Sequence, residues 1–247
     1  MTPGRFVWYE LLTTDPKAAI AFYTEVLGWK AEPFGADYTM FTASQGPLGG
    51  VNELPEAARA MGAVPYWQGN VVVANVDEAA AKVEQLGGKI YVREEVPNIG
   101  KFAVIADPQG AVIALFTPTG ESPPRDRDKP GEIGWNELYT SDNGAAIEFY
   151  RQVASWEKLD EQDVGGGATY LRFGTDGTPL GGMMKNPVPP SWMYYVTTAD
   201  LDATLARATA LGATVLFGPM GIPANRRVVA LKDPQGAAFA LITPPNA

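Results

Sequence analysis

The chain has 247 residues, 46% of them apolar, with 19 Lys and Arg against 28 Asp and Glu and a net charge of −9. This length suits two ordinary domains, and the acidic balance argues against a nucleic-acid partner. There is no Cys and no His, which excludes disulfides, Ser-His-Asp and Cys-His catalysis within the chain, and the commonest metal ligand.

The sequence also predicts no membrane partner. No stretch reaches the ~18 apolar residues that a spanning helix needs. Residues 1–5 do not form a basic segment followed by an apolar one, so no secretory signal is predicted. We therefore expect a cytoplasmic protein.

The first predicted elements are a strand, a helix and three more strands. Phe6–Leu12 is an apolar run of strand length. Asp15 is a predicted N-cap and Pro16 the first residue of a helix. The three short strands that follow are predicted at Trp29–Phe34, Tyr38–Thr42 and Leu48–Asn52.

The same order recurs in the next segment. A strand around Val71–Val73 precedes a helix that Asp77 is predicted to cap, and Gly87-Gly88 ends it. Three strands follow at Lys89–Val92, Phe102–Ala106 and Val112–Phe116. Between the last two, Asp107-Pro108-Gln109-Gly110 has the residue pattern of a type I turn.

The whole plan is then repeated. Gly4–Lys30 and Gly131–Glu157 align without a gap and share 13 of 27 residues. The Pro-Leu-Gly-Gly at 47–50 returns at 179–182, and the Asp-Pro-Gln-Gly at 107–110 returns at 233–236. We predict domains at 4–118 and 132–245, joined by a charged, Pro- and Gly-rich linker at 119–131. The glycines at 49–50, 165–167 and 181–182 are interpreted as turns.

These residues resemble the vicinal oxygen chelate superfamily, which contains glyoxalases, bleomycin-resistance proteins and extradiol dioxygenases. The resemblance rests on Thr13 to Asp15, Phe22-Tyr23, Leu27 to Trp29 and the Asp-Pro-Gln-Gly turns. It implies an α+β fold: a tandem pair of βαβββ-βαβββ domains with four modules. Each pair of modules would form an open curved mixed sheet with flanking helices, around a cup that binds ligands. Because fused modules supply their own pairing, either a monomer or a homodimer is expected.

The resemblance also implies where a metal would bind, and those positions are altered. In metal-using members the ligands lie on the first strand of each module and include a Glu on the last strand. Of the corresponding side chains here, only Gln68 has a coordinating atom. The six positions are Trp8, Gln68 and Ala114 in the first copy, and Trp135, Met193 and Ala240 in the second. We therefore predict no metal site and no cofactor.

Glu10 and Glu137 are the candidate catalytic residues. Strand alternation places them on the same strand face as Trp8 and Trp135, so each would point into a cup. A carboxylate there could act as an acid or base, or hold a cationic ligand. The alternative is structural: each Glu accepts hydrogen bonds and braces the two modules.

The candidate ligand-binding residues are Trp8, Gln68, Asn70, Trp135 and Tyr195. Indoles offer stacking surfaces for flat or cationic groups, although Trp8, Trp135, Trp67 and Trp192 could equally be core anchors. Gln68 and Asn70 correspond to Met193 and Tyr195, so the first cup is predicted to be the more polar. Arg226-Arg227 would meet an anion or lie at a solvated strand end.

We thus expect a small-molecule-binding protein that lacks the usual metal ligands and takes a hydrophobic, aromatic or cationic compound. One alternative is an enzyme of lyase, isomerase or dioxygenase ancestry with a Glu base and without the standard His/Glu metal site. Another is a purely structural or interaction module.

Overall fold

A computed structural model describes residues 2–35, 38–121, 123–165, 168–186 and 189–245. The first copy contains β1 (Phe6–Thr13), α1 (Pro16–Leu27), β2 (Lys30–Pro33), β3 (Thr39–Ala43), β4 (Gly46–Glu53), α2 (Glu56–Ala60), β5 (Tyr66–Val72), α3 (Val76–Gln85), β6 (Lys89–Val96), β7 (Gly100–Ala106) and β8 (Val112–Pro118). The second contains β9 (Ile133–Thr140), α4 (Asn143–Ala154), β10 (Glu157–Asp163), β11 (Thr169–Thr175), β12 (Thr178–Lys185), β13 (Ser191–Thr197), α5 (Leu201–Ala210), β14 (Thr214–Ile222), β15 (Arg226–Lys232) and β16 (Ala238–Ile242).

The strands form two mixed sheets of eight, and helices flank them, which confirms the predicted α+β class. The strand orders are β2-β3-β4-β1-β5-β8-β7-β6 and β10-β11-β12-β9-β13-β16-β15-β14. No helix in the described ranges is long and apolar enough to cross a membrane.

The helix starts follow from local chemistry, with one correction. Asp15 and Asp142 cap α1 and α4 by accepting the N–H groups of Ala18 and Ala145. The prediction that Asp77 caps α3 is wrong. Asn75 is the N-cap, and its side chain accepts the N–H groups of both Asp77 and Glu78, so the carboxylate of Asp77 falls inside the first turn, near the positive end of the helix dipole.

The interpretation of the glycines in the Pro-Leu-Gly-Gly repeats as turns is also wrong. The glycines at 49–50 and 181–182 lie within β4 and β12, not in turns. A Cβ at Gly49 would stand 2.2 Å from the carbonyl oxygen of Tyr9, and one at Gly181 would stand 1.9 Å from that of Asn136. The glycines are needed because two backbones approach closely here. For the glycine run at 165–167, residues 166 and 167 lie outside the described residues.

The chain folds into two compact units that do not follow the repeat. Unit 1 is Met1–Trp8, Gln68–Pro123 and Asn136–Trp192, and unit 2 is Tyr9–Trp67, Pro124–Trp135 and Met193–Ala247. Each unit therefore combines one half of the first copy with one half of the second.

The same indole contact joins the two halves within each unit. In unit 2, Trp29 Nε1 donates to the carbonyl oxygen of Gly131 at 2.8 Å. In unit 1, Trp156 Nε1 donates to the carbonyl oxygen of Gly4 at 2.7 Å. Both indoles are buried, so these bonds satisfy polar atoms that water does not reach.

The Asp-Pro-Gln-Gly turns make further contacts of this kind. In unit 2, the hydroxyl of Tyr23 donates to Asp233 at 2.9 Å and accepts from Trp67 Nε1 at 2.9 Å. In unit 1, the hydroxyl of Tyr150 donates to Asp107 at 3.2 Å. The other oxygen of each Asp accepts three N–H groups of its own turn. The turns thus fix the helix of the other copy as well as reversing the chain.

Burial dominates the electrostatics of these groups. It raises the pKa of Asp107 and Asp233 above the usual aspartate range, although the three N–H donors oppose the rise. Burial also raises the pKa of Tyr23, and the charge of Asp233 adds to that effect.

Part of the predicted linker, from Pro124 onward, belongs to unit 2. Arg125 forms a 2.6 Å hydrogen bond to the buried carboxylate of Glu132 and donates to the carbonyl oxygen of Pro47 at 2.8 Å. Arg226 donates to the carbonyl oxygen of Thr243 at 2.7 Å, and its guanidinium lies 3.5 Å from Asp128. Residues 125–128 are therefore held by specific ion pairs and backbone contacts.

Candidate functional site

The opening strands present their acids as strand alternation predicts. In β1, the side chains of Tyr9, Leu11 and Thr13 are buried, whereas Trp8 and Glu10 are part-exposed. In β9, Trp135 and Tyr139 are part-exposed and Glu137, between them, keeps 8% exposure. Each Glu therefore lies on the sheet face opposite the packed core of its own half-sheet.

Glu10 is held by two side chains of its own module. The hydroxyl of Tyr38 donates to Glu10 Oε1, and Asn52 Nδ2 donates to Glu10 Oε2 at 3.2 Å. Both oxygens of the carboxylate are thus engaged, and all three residues are part-exposed. Hydrogen bonds to an ionised acceptor are stronger than neutral ones, so this cluster fixes the carboxylate in one orientation.

A glycine lets the tyrosine reach the acid. Glu10 lies opposite Gly50 in the β1–β4 register. A Cβ at Gly50 would stand 2.0 Å from the hydroxyl oxygen of Tyr38. The ring of Tyr38 therefore crosses β4 over Gly50, where any other residue would displace it.

The second copy repeats this frame with a different third member. The hydroxyl of Tyr170 donates to Glu137 Oε2 at 2.8 Å. Glu137 lies opposite Gly182, where a Cβ would stand 2.1 Å from the Tyr170 hydroxyl. In the place of Asn52, two residues after the second glycine, stands Met184, whose side chain has no N–H to donate.

The residues in register beside each glycine also differ. We call the residues that lie opposite one another across neighbouring strands a register row. In the first copy this row, across β1, β4, β3 and β2, is Glu10, Gly50, Met40 and Glu32. The second has Glu137, Gly182, Arg172 and Asp160. Arg172 Nε donates to Asp160 at 2.9 Å, and this bond to Arg172 lowers the pKa of Asp160.

An exposed aromatic ring lies beside the first-copy cluster. Phe34 is 49% exposed, and its ring meets that of Tyr38 edge-to-face with the centroids 6.3 Å apart. Phe34 therefore presents a large apolar surface to solvent beside the cluster.

The other predicted ligand-binding residues are spread over both units. In unit 1, Gln68 and Asn70 are buried, at 5% and 8% exposure, and Asn70 Nδ2 lies 3.4 Å from the carbonyl oxygen of Trp8. In unit 2, Trp135 is part-exposed and Tyr195 is buried at 3% exposure. The ligand roles predicted for these residues and for Trp8 remain predictions.

Trp67 and Trp192 belong to the core. Trp67 packs edge-to-face on Tyr23 in unit 2, with ring centroids 5.2 Å apart. Trp192 packs edge-to-face on Trp156 in unit 1, at 5.6 Å. Of the two interpretations of these indoles, the core interpretation is the one that the packing supports.

Arg226 and Arg227 are both engaged in ion pairs. Arg227 makes two hydrogen bonds to Asp202, at 2.7 and 2.9 Å. These bonds raise the pKa of Arg227, and the bond to Arg227 lowers that of Asp202. Burial lowers the pKa of Arg226, the less exposed of the two.

Sequence reasoning missed Tyr38, Tyr170 and Asn52. The signal for the tyrosines was present: each stands twelve residues before the second glycine of a Pro-Leu-Gly-Gly repeat. What was missing was the register: a strand was predicted at Leu48–Asn52, but local sequence does not specify which of its residues lies opposite Glu10 or which ring crosses it.

The donor chemistry of the described residues bears on whether a divalent metal could bind. Catalytic metal sites of this kind take His, Cys and carboxylate ligands, and the chain has neither His nor Cys. Within the described ranges, no three Asp or Glu residues are grouped so that they could hold an ion. A phenol and an amide, those of Tyr38 and Asn52, donate hydrogen bonds to Glu10.

A surface hollow of about 290 Å³ lies within unit 2 near the end of α1. Trp29, Lys30, Ser44 and Gly131 are among the residues that line it. None of its lining residues was predicted as a site residue.

Comparison with protein families identifies the fold's relatives. Residues 8–116 match the model described as "Glyoxalase-like domain". Residues 132–241 match the "Glyoxalase/Bleomycin resistance protein/Dioxygenase superfamily" model. The chain belongs to this superfamily, with two family domains one after the other, and the resemblance inferred from the sequence is confirmed.

Two curated relatives span nearly the whole chain. The Mycobacterium tuberculosis protein named "Putative glyoxylase CFP32" is 31% identical, over 96% of this chain and 94% of its own length. The Streptomyces "Anthracycline biosynthesis protein DauV" is also 31% identical, over 97% of this chain and 93% of its own length.

Solved structures share the fold at lower identity. Homoprotocatechuate 2,3-dioxygenase from B. fuscum superposes with a TM-score of 0.72 at 17% identity, covering 98% of this chain and 72% of the dioxygenase. The Mn(II)-bound glyoxalase from Novosphingobium aromaticivorans superposes with a TM-score of 0.69 at 17% identity, covering 99% and 83%. At this identity the likeness concerns the fold.

Proposed function

We propose that the chain binds a small hydrophobic, aromatic or cationic molecule at the Glu10 face without the metal ion that its superfamily commonly uses. The observation that carries this proposal is the Glu10 cluster, a carboxylate held by Tyr38 and Asn52 on a part-exposed sheet face. Holding a charged group in one orientation before a ligand arrives reduces the entropy lost on binding.

The donor chemistry supports independence from a metal. Trp8, Gln68 and Ala114 stand where the superfamily's ligands are expected in the first copy, and an indole and a methyl group cannot coordinate. The second copy offers Trp135, Met193 and Ala240.

The ligand class follows from the side chains on this face and from a relative. Phe34, Tyr38 and Met40 offer two rings and a thioether beside Glu10, which suits a flat apolar body. One relative is named an anthracycline biosynthesis protein, and we propose a compound of that chemical class, a fused-ring aromatic, as the ligand of this chain. Ligand contacts are proposed separately for each unit, at Trp8, Gln68 and Asn70 in unit 1 and at Trp135 and Tyr195 in unit 2. We propose a cytoplasmic monomer or homodimer.

The test is a binding titration with an anthracycline, followed by the probe's fluorescence, with and without EDTA. We expect saturable binding that EDTA leaves unchanged and that Glu10→Gln weakens. Glu137→Gln is the matched control, since it removes the equivalent charge in the other copy. Binding that disappears on chelation and returns with a divalent metal would overturn the proposal.

A second candidate function is an isomerase-, lyase- or dioxygenase-related enzyme in which Glu10 is the base. The observation that favours it is the hydrogen bond from the phenol of Tyr38 to the carboxylate, which pairs a proton acceptor with a proton donor. Activity on 2-oxoaldehyde adducts, the reaction suggested by the glyoxylase name of a relative, tests it. If Glu10→Gln leaves any such turnover unchanged, Glu10 is not the base.

A further inference from the structure

We propose that the first-copy cluster recognises a protonated amine carried on the aromatic ligand, and that the second-copy cluster does not. The inference rests on the proposed function and concerns the same face. It follows from the direction of the hydrogen bonds and from the residues in register with each glutamate.

The hydrogen bonds give the first cluster the character of an acceptor. An ionised carboxylate only accepts, so Glu10 requires that Tyr38 gives it the hydroxyl proton and that Asn52 turns its NH₂ group toward it. The polar atoms that these residues have for another molecule are then mainly oxygen lone pairs: those of the carboxylate, the phenol oxygen and the amide oxygen. An ammonium group, with three N–H donors and no acceptor, is complementary to that set.

The register row around the first cluster carries negative charge at both ends. Glu10 and Glu32 are its terminal residues, with Gly50 and Met40 between them. Lys30 precedes Glu32 by two residues on β2, the outer edge strand, so it lies on the same face as Glu32. An amine at Glu10 would therefore have its apolar body over Met40 and beside Phe34.

The second-copy row places a fixed cation in the position of Met40. Arg172 lies directly between Gly182 and Asp160 and is paired with Asp160. Met184 replaces the amide that Asn52 gives the first cluster. A ligand ammonium at Glu137 would meet a guanidinium in the adjacent position, and a thioether at residue 184 in place of the amide oxygen of Asn52.

The experiment compares two probes that differ in one charge, daunorubicin with its free amine and N-acetyldaunorubicin, which is neutral there. Calorimetric titration should give one amine site per chain and about tenfold weaker binding of the acetylated probe. If both probes bind equally, the amine inference fails while the proposed function stands. If neither binds, the proposed function fails for this ligand class.

Variants then locate the site. Met40→Arg and Asn52→Met each install the second-copy residue in the first copy, and each should weaken daunorubicin about tenfold while changing the acetylated probe by less than about twofold. Arg172→Met and Met184→Asn are the matched changes in the second copy and should leave the affinity of the first-copy site unchanged. Circular dichroism checks that each variant is folded, and the two first-copy variants test the idea independently. A loss confined to the second-copy variants would overturn the assignment.

Discussion

The Glu10 and Glu137 clusters share a frame and differ in what surrounds it. In both, a tyrosine crosses a strand over a glycine and donates its hydroxyl to a glutamate on the next strand. Around that frame, Asn52 corresponds to Met184 and Met40 to Arg172. The frame is thus common to both copies, whereas the polarity beside it is particular to each.

The comparison distinguishes the bond that holds each glutamate from the neighbouring side chains that differ between the copies. A tyrosine–glutamate bond that recurs in both copies satisfies a carboxylate on the sheet and serves either copy equally well. Under the proposed function, the side chains next to it would contact the ligand, so we expect their exchange to change which ligand binds without disturbing the strand register. The glutamate alone would not distinguish the two copies.

The largest expected effect concerns the glycines that allow the strands to approach. Gly181→Ala places a methyl group 1.9 Å from the carbonyl oxygen of Asn136 and 2.7 Å from the ring of Phe173. Gly49→Ala meets only the backbone of Tyr9 at such short range, at 2.2 Å. We expect a loss of about 3 kcal/mol or more in the free energy of unfolding for Gly181→Ala and a smaller loss for Gly49→Ala. Urea denaturation measures both, and a larger loss at Gly49 would contradict this ranking.

The next effect concerns the buried phenols. Tyr23→Phe leaves Asp233 without the phenol donor and Trp67 Nε1 without its acceptor, both inside unit 2. Tyr150→Phe removes the longer phenol bond to Asp107 in unit 1. We expect a loss of about 1–3 kcal/mol for Tyr23→Phe and less for Tyr150→Phe. Thermal or urea unfolding decides the order, and equal losses would show that the Trp67 bond contributes nothing measurable.

A pH series on Asp233→Asn tests the burial of that carboxyl group. Burial raises the pKa of Asp233 in the folded state. The stability that the protonated carboxyl contributes is therefore fully present below the unfolded-state pKa, and it is lost as pH rises through the folded-state pKa. Asn does not titrate, so the melting temperature of the variant minus that of the wild type should rise over this acidic window.

Asp77→Asn is the control, because the pKa of Asp77 is shifted in the direction opposite to that of Asp233. The hydrogen bond from Lys101 lowers the pKa of this exposed group, so its contribution is present above the unfolded pKa and is lost as pH falls through the folded value. The difference between this variant and the wild type should shrink on acidification. If the two variants show the same pH trend, the assignment of burial as the cause for Asp233 is wrong.

The smallest expected effect concerns the ion pair of the second copy. The side chains of Arg172 and Asp160 are 40% and 35% exposed, and such pairs contribute up to about 1 kcal/mol. Arg172→Met should therefore lower the stability by less than about 1 kcal/mol, and added salt should reduce the difference. A larger, salt-insensitive loss would mean that Arg172 packs as part of the core.

The face of β1 on which Glu10 lies could be predicted from the sequence. Two-residue alternation is local, and it correctly set Glu10 apart from Tyr9 and Leu11. The partners of Glu10 were not predictable in this way, because Tyr38 and Asn52 reach it only after β3 and β4 have paired with known register. Asp77 was predicted as the N-cap of α3, but Asn75 is the N-cap. This error is local, because Asp and Asn both commonly cap helices.

The sequence by itself determined the duplicated plan, the α+β class, the caps of α1 and α4 and which side chains of the opening strands share a face. These depend on the spacing of residues along the chain, so they can be read without the fold. Tertiary structure alone decided that each compact unit combines halves of both copies, that a tyrosine crosses a glycine to hold each glutamate, and that the Asp-Pro-Gln-Gly turns bind the other copy's tyrosine. Such contacts join residues up to 210 positions apart, and no local pattern specifies which of them meet.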